Sequence, residues 1–446
     1  MDSSAAIDDL TGLQGRGGWL EKAQSILSSD ESHKVIFYID LDRFKFVNDS
    51  LGHDAGDVVL RKAAETLITQ VAPELDLVGR MGGDEFVILL TSPLSVARAE
   101  DIANNIIHHL SQPISIDTSE VEIGASIGIS HYPKDSTSLE ELLKFSDLAM
   151  YRAKHSGRNQ QVTFHELMIK KIKYRREIQT YIRKALKEGT LNPVFQPIID
   201  TRKQQMVSVE LRIDCNESDG LYGLEQEELF NIADESQVAV ELGEWMFDQS
   251  LQFLIEMQEA QEEIEIITPI RPGHFQQKNF VSWLSQRLEE VQVPPEHLVL
   301  QFSDQVFNSM RFPVQRRLHA LSNLGVLIAV QNFGTGQLSP MKLHDWPISQ
   351  VHLSYAFVSE MTVKNSIASM TAALIQMGLM LNKQVVACGV SSLEQQAMLY
   401  SHQCYLMQGP LFGENLTQSE LEKQRFETLN DLNYLDDDYL DDMDEF

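Results

Sequence analysis

Three clusters in the chain carry side chains that could act together on a charged ligand. The first holds Asp40, Asp42, Lys45, Asn48, His53, Gly56 and Asp57. The second is Arg80-Met81-Gly82-Gly83-Asp84-Glu85-Phe86, and the third holds Lys154, Arg158 and Asn159. Taken singly, an acid at a strand end is an exposed edge residue and a Gly-Gly pair is an ordinary hairpin. In this order and combination they are specific. Charge decides how a ligand could be held: Lys plus Arg total 36 against 65 Asp plus Glu, for a net charge of −29. A field of that sign repels polyanions, which argues against non-specific binding to DNA, RNA or anionic lipid. A phosphate-bearing ligand must therefore be held locally, by metal ions or a few placed cations.

The elements that must position these residues alternate along the first third of the chain. Val35–Ile39 and Phe86–Leu90 read as strands, and Val121–Ser130 as a third. Gly56–Val71, Ala97–Leu110 and Leu139–His155 have helical periodicity. Strands and helices at this spacing predict an α/β or α+β layer with a central sheet. Phe164–Leu186 is basic, lacks Pro and Gly, and is predicted to form a stiff helical connector. From about Asn192 to Leu421 further strand candidates recur at Val207–Leu211, Glu265–Ile267, Leu298–Phe302, Val326–Val330, Val351–Leu353 and Val385–Ala387. Helical segments between them predict a (β/α) barrel.

A chain of 446 residues and 50.6 kDa is too long for one ordinary core, so two domains are expected. The hydrophobic fraction of 43% is enough to fill both. We place the first domain at 1–160, a helical connector at 161–178, the second domain at 179–426 and an acidic tail at 427–446. Its final stretch, Asp431 to Phe446, carries acids and no base, with Leu, Tyr, Met and Phe interleaved. That composition fits a solvated tail, with a docking peptide for a protein partner as the alternative. No apolar run approaches the ~18 residues of a membrane helix, and the first residues lack a signal-peptide pattern. Cys215, Cys388 and Cys404 form no CxxC pair, so a reducing, cytoplasmic setting is expected.

Over residues 7–160 the chain resembles the GGDEF family of diguanylate cyclases. The three clusters carry the resemblance, together with Asp9-Leu10-Thr11-Gly12-Leu13 at the start, where Gly15 and Gly17 replace the usual Asn and Arg. The resemblance implies that two GTP molecules condense to cyclic-di-GMP, the 3′-hydroxyl of each attacking the α-phosphorus of the other. Because each GTP sits on one chain, it also implies a homodimer. Mg2+ or Mn2+ would be held by Asp40, Asp84 and the Leu41 carbonyl. Asp84 would accept the 3′-hydroxyl proton, Glu85 would be a further metal or charge-positioning group, and Lys45 would stabilise charge on the transferred phosphoryl group. Gly82 and Gly83 would let the hairpin backbone approach the nucleotide, and Phe86 would be a core anchor. Lys154 and Arg158, four apart and expected on one helix face, would clamp the outer phosphates. Asp57 suits the donors of guanine, with Asn48 and His53 completing base and ribose recognition. The family's product-inhibition motif, Arg-x-x-Asp, is here Pro73-Glu74-Leu75-Asp76, so feedback inhibition at that position is not expected.

Residues 176–425 resemble the EAL family of cyclic-di-GMP phosphodiesterases. Phe195-Gln196-Pro197-Ile198, Val209-Glu210-Leu211, Leu242-Gly243-Glu244-Trp245, Phe333-Gly334-Thr335-Gly336 and Gln408 to Gly413 carry that likeness. Of the acids that hold two metals in the family, only Glu210 is kept. Pro269, Gln301, Gln331, Asn332, Ser354, Cys388 and Ser391 stand at the other ligand positions, and His352 at that of the general-base lysine. Amides bind magnesium far more weakly than carboxylates, so hydrolysis is expected to be absent. The signature's following Arg is displaced to Arg212, with Asp214 in its place. The expected whole is a cyclase with an inactive EAL domain serving regulation, dimerisation or partner binding. The alternative is a non-catalytic adaptor responsive to cyclic-di-GMP or GTP, like the degenerate EAL effectors of motility and type IV pili.

Overall fold

The run Lys34–Asp42 is buried at every position but Tyr38. A strand of that kind has to lie inside a sheet covered on both faces. The computed structural model describes residues 6–72, 74–91, 96–116, 119–215, 221, 223–307, 313–336, 338–413 and 415–426. Pro73 and the acidic segment 427–446 lie outside the described residues. The chain divides into two units, Met1–Tyr174 and Arg175–Phe446.

In the first unit the strands are β1 (Gln14–Gly15), β2 (Lys34–Asp42), β3 (Leu77–Gly82), β4 (Glu85–Leu90), β5 (Ile114–Ile116), β6 (Ser119–Val121), β7 (Gly124–Tyr132) and β8 (Gln161–Thr163). Six of them form one sheet in the order β1-β3-β4-β2-β7-β8. Its four central strands pair antiparallel and its two edge pairs are parallel. The helices are α1 (Arg16–Ser29), α2 (Phe44–Leu51), α3 (His53–Thr69), α4 (Val96–Leu110) and α5 (Leu139–His155). Phe37, Ile39, Phe86 and Ile88 meet α2, α3 and α4 in one apolar cluster, while Ile36, Val87 and Leu89 meet Trp19 and Leu142 in another. Phe86 is the core anchor expected of it.

Three boundaries differ from expectation. The helix expected from Gly56 begins at His53, because Gly52, at φ 87°, ends α2 and starts the next helix directly. The strand expected over Val121–Ser130 is divided: Val121 pairs with Ile114 in a separate hairpin, and β7 begins at Gly124 opposite Asp42. The sheet continues past residue 160 through β8, which pairs with β7, so the connector helix starts only at Glu166 and runs to Glu188.

The second unit is a closed barrel of eight strands. They are β9 (Pro193–Asp200), β10 (Gln205–Ile213), β11 (Glu265–Ile270), β12 (Leu298–Ser303), β13 (Leu327–Phe333), β14 (Gln350–Leu353), β15 (Gln384–Cys388) and β16 (Leu406–Gln408). β10 to β16 are parallel in sequence order, and β9 closes the barrel antiparallel to both neighbours. Periodicity missed β9, which carries two prolines, and β16, which is three residues long. Ile198, Ile267, Val299, Ala329 and Val386 form an apolar layer. Among the described residues no helix is long and apolar enough to cross a membrane.

One glycine sets how closely α5 lies on its sheet. A Cβ at Gly128 would come within 1.9 Å of the Ser146 carbonyl oxygen and 2.2 Å of the Met150 amide nitrogen. Both are helix backbone, which cannot move aside as a flexible side chain would. α5 is otherwise well specified: the Ser138 hydroxyl caps it by accepting from the Glu141 N–H, and Arg152, Lys154 and His155 stand in its last turn. Gly128→Ala is therefore expected to destabilise the full chain by roughly 2 kcal/mol or more, measured by chemical denaturation. A stability equal to wild type would show that α5 does not depend on this contact.

Candidate functional site

β2 ends in two buried acids, Asp40 and Asp42, with the core residue Leu41 between them. Asp40 is only 6% exposed and stands opposite Glu85 of β4. The two-residue turn Gly83-Asp84 joins β3 to β4, with Gly83 in the left-handed region at φ 53°. A Cβ at Gly82 or Gly83 would meet nothing within 4 Å, so the outer side of this turn is open to a ligand. The Asp84 carbonyl accepts the Leu41 N–H at 3.3 Å, which ties the turn to the end of β2. Burial first, and then the charges of Asp84 and Glu85, push the Asp40 carboxyl up to about 6, against the opposing hydrogen bond from Lys154. Lys154, on the last turn of α5, donates to Asp40 at 2.5 Å. Partial burial and then the charge of Glu85 also push Asp147 of α5 above the usual carboxylate range.

The hairpin is fixed from behind. Arg80 donates to the Gly83 carbonyl at 2.7 and 3.1 Å, and to both oxygens of Asp8 at 3.1 Å. Asp8 in turn accepts from the Thr11 N–H at 2.9 Å and the Thr11 hydroxyl at 2.6 Å. Burial opposes the ionised form of Asp8, but these bonds outweigh it and hold its carboxyl below the usual range. The working aspartate of the opening motif is thus Asp8 rather than Asp9. Asp76 is also structural, accepting the N–H groups of Ala72 and Thr91 at 2.9 Å each.

The remaining site residues fall into three places. Lys45 is exposed on α2 and His53 is exposed at the start of α3, while Asn48 and Asp57 are half-buried. Asn48 lies directly on Gly56, where a Cβ would come within 2.0 Å of its Oδ1. Arg158 does not share a helix face with Lys154. α5 stops at His155, Gly157 turns the chain at φ 122°, and Arg158 and Asn159 are left-handed. The buried Asp42 holds that loop by accepting the Asn159 N–H and the Ser126 hydroxyl, each at 2.8 Å. Arg158 is therefore presented by a pinned loop. The Ser156-Gly157 pair in the sequence was the available signal.

The chemistry of the donor set fits a divalent cation. Two carboxylates, Asp40 and Asp84, crowd one strand end with a third acid alongside and a single ammonium against them. That is the one-or-two-carboxylate arrangement magnesium uses when phosphates complete its shell. Among the described residues no group of three or more His, Cys, Asp or Glu could hold a metal unaided.

The barrel is organised differently. Glu210, 4% exposed, accepts from Gln408 at 2.7 Å, and the Arg212 guanidinium lies 3.5 Å from the same oxygen. His352 is fully buried, and burial lowers its pKa to about 4, so the ring is neutral. Its Nδ1 accepts from the Gln301 side-chain amide at 3.1 Å and its Nε2–H donates to Gln350 Oε1 at 3.3 Å. Gln350 then donates to Glu265 at 2.9 Å. Burial pushes the Cys388 thiol up, so it stays protonated. This interior does not fit a pair of divalent cations: its acid already has a cation and an amide, and its imidazole is committed to amides.

A barrel closed by one antiparallel strand, following a mixed α/β layer with a Gly-Gly hairpin, defines a two-domain architecture. A family model of the EAL domain matches residues 179–415, and the Diguanylate cyclase, GGDEF domain model matches residues 5–160. The chain belongs to the EAL family and carries a GGDEF domain before the barrel. It is 30% identical over 422 residues to the bifunctional diguanylate cyclase/cyclic di-GMP phosphodiesterase MucR of Pseudomonas aeruginosa, covering 94% of this chain and 61% of that protein. It is 28% identical over 423 residues to signaling protein YkoW of Bacillus subtilis, covering 94% of this chain and 53% of that protein. The chain thus spans a little over half the length of these relatives. The S helix-GGDEF-EAL structure of Vibrio cholerae LapD, bound to c-di-GMP, shares the fold at 16% identity. Its TM-score is 0.54, over 92% of this chain and 96% of that one.

The raised Asp40 gives a pH dependence with a definite sign. Its folded carboxyl binds a proton more tightly than an unfolded one, so its contribution to stability is present below the usual carboxylate range. That contribution is lost as the pH climbs through about 6, where a cation can take the proton's place. Melting of the full chain with magnesium and a non-hydrolysable GTP analogue should therefore show a larger stabilisation above pH 6 than below it. Asp40→Asn should remove most of that difference; a pH-independent shift would show that Asp40 does not meet the cation.

Proposed function

We propose that the chain is a diguanylate cyclase that condenses two GTP into cyclic-di-GMP, with an EAL barrel that does not hydrolyse the product. The observation that carries this reading is the crowding of Asp40, Asp84 and Glu85 at one strand end, where burial and mutual repulsion push Asp40 up to about 6. Such a cluster favours a divalent cation, Mg2+ or Mn2+, which when bound would neutralise phosphate oxygens and so allow the polyanion to approach.

Asp40, Asp84 and the Leu41 carbonyl would hold that cation. Asn48 and Asp57 would take the guanine edge and His53 the ribose, while the open backbone at Gly82 and Gly83 gives the triphosphate room. Asp84 would accept the proton of the 3′-hydroxyl as it attacks the α-phosphorus of the second nucleotide, with pyrophosphate as leaving group. Glu85 positions charge at the centre, and Lys45 would stabilise the phosphoryl group in transit. Lys154, paired with Asp40 in the ligand-free chain, must leave it before it can join Arg158 on the outer phosphates. Each site holds one GTP, so turnover requires two chains face to face in a homodimer. We place the protein in the cytoplasm.

The barrel's own arrangement supports its lack of hydrolysis. Arg212 and Gln408 occupy the one acid kept from the family's set, and His352 is neutral where a lysine would be charged. We assign the barrel to regulation, dimerisation or binding of a protein partner. A second reading, a non-catalytic adaptor that only binds GTP or cyclic-di-GMP, is favoured by the Lys154–Asp40 pair, which spends a phosphate-binding cation inside the protein.

Incubation of the full chain with GTP and magnesium, followed by chromatography, separates the two. The cyclase should form the cyclic dinucleotide, and Asp84→Ala should lower the rate by at least about a hundredfold. Supplied cyclic-di-GMP should persist without appearing as the linear dinucleotide. GTP bound but unchanged by a demonstrated dimer would establish the adaptor instead.

A further inference from the structure

Tyr38, two residues before Asp40 on β2, has no part in the reaction proposed above. Alternation along the strand puts Tyr38 and Asp40 on the same face. Glu85, directly opposite Asp40 across β4, shares that face. The Tyr38 ring is half-buried against the cluster built on Trp19, Ile36, Val87 and Leu89. Its hydroxyl donates to Glu85 Oε2 at 2.9 Å. Among the described residues this is the one hydrogen bond made to the Glu85 carboxylate. Glu85 stands opposite Asp40 and next to Asp84 in the chain, so its carboxylate is repelled by both and, unheld, would swing outward to solvent. Holding it needs a donor whose own position is set by packing, and a ring wedged in a core is such a donor.

We propose that Tyr38 is a positioning residue: its hydroxyl holds the Glu85 carboxylate at the strand end where a divalent cation and its nucleotide bind. The inference rests on the reading of that strand end as a cation site. Tyr38→Phe deletes a single oxygen and keeps the ring, so the packing of the sheet is retained.

The test is Mn2+ binding to the full chain with a non-hydrolysable GTP analogue, read by electron paramagnetic resonance and therefore independent of turnover. Outer partners of metal ligands typically set affinity by 10–100-fold, so Tyr38→Phe should weaken Mn2+ by about tenfold. Because Tyr38 acts through Glu85, the double variant with Glu85→Gln should bind no more weakly than Glu85→Gln alone. A packing role would leave Mn2+ affinity unmoved, or would add its loss to that of Glu85→Gln; either result overturns the proposal. The magnesium concentration for half-maximal turnover supplies the second readout and should rise in Tyr38→Phe. If the wild type makes no dinucleotide but Tyr38→Phe still loses Mn2+, the positioning role stands and the cyclase reading falls. If wild type and variant turn over with the same magnesium requirement, the cyclase reading stands and the positioning role falls.

Discussion

A carboxylate buried beside other carboxylates must be neutralised by something, and the first unit is arranged around that requirement. Asp40 sits at the buried end of β2, with Glu85 opposite and Asp84 on the adjoining turn. In the free chain the answer is Lys154, brought in by α5. That arrangement depends on Gly128, which lets the helix backbone rest on the sheet. It depends equally on the Asp8–Arg80–Gly83 chain, which keeps the turn from opening. Neither device touches a nucleotide in the proposed reaction, yet both decide where its acids stand. In the proposed reaction a cation with phosphate oxygens would replace the lysine, and the released lysine would then be available to the phosphates.

The barrel solves the same problem permanently. Glu210 has a guanidinium two residues along its own strand and an amide from β16, so its charge is answered from within. The Gln301–His352–Gln350–Glu265 relay is made of neutral groups until its last member. The two units therefore differ in what answers the buried acid: a lysine from a packed helix in the first, a guanidinium on the same strand together with an amide in the second.

Much of this was legible from residue order. The apolar run ending in Asp40 is a strand and the Gly-Gly segment leading through Asp84 to Glu85 is a turn, as the residue order implied. Phe86 fills the core as expected. What escaped was set by geometry that spacing does not encode. Arg158 lies four residues after Lys154, but Gly157 ends the helix first, and Asp42 then fixes the loop through a bond over 117 positions of sequence. Asp8 and Asp9 are indistinguishable as letters; the bonds from Thr11 and Arg80 select Asp8. Tyr38 reads as one more aromatic in a buried strand, because its hydroxyl partner lies on another strand. In the barrel, β9 was hidden by its prolines and Arg212 by its displacement from the family position, although that displacement is what brings it to Glu210.

The most direct test of this contrast is to count Mn2+ bound per chain in the presence of a non-hydrolysable GTP analogue, comparing Asp84→Asn with Glu210→Gln. Binding should be lost in Asp84→Asn and unchanged in Glu210→Gln. Metal retained in the first variant and lost in the second would place the cation in the barrel and contradict the account.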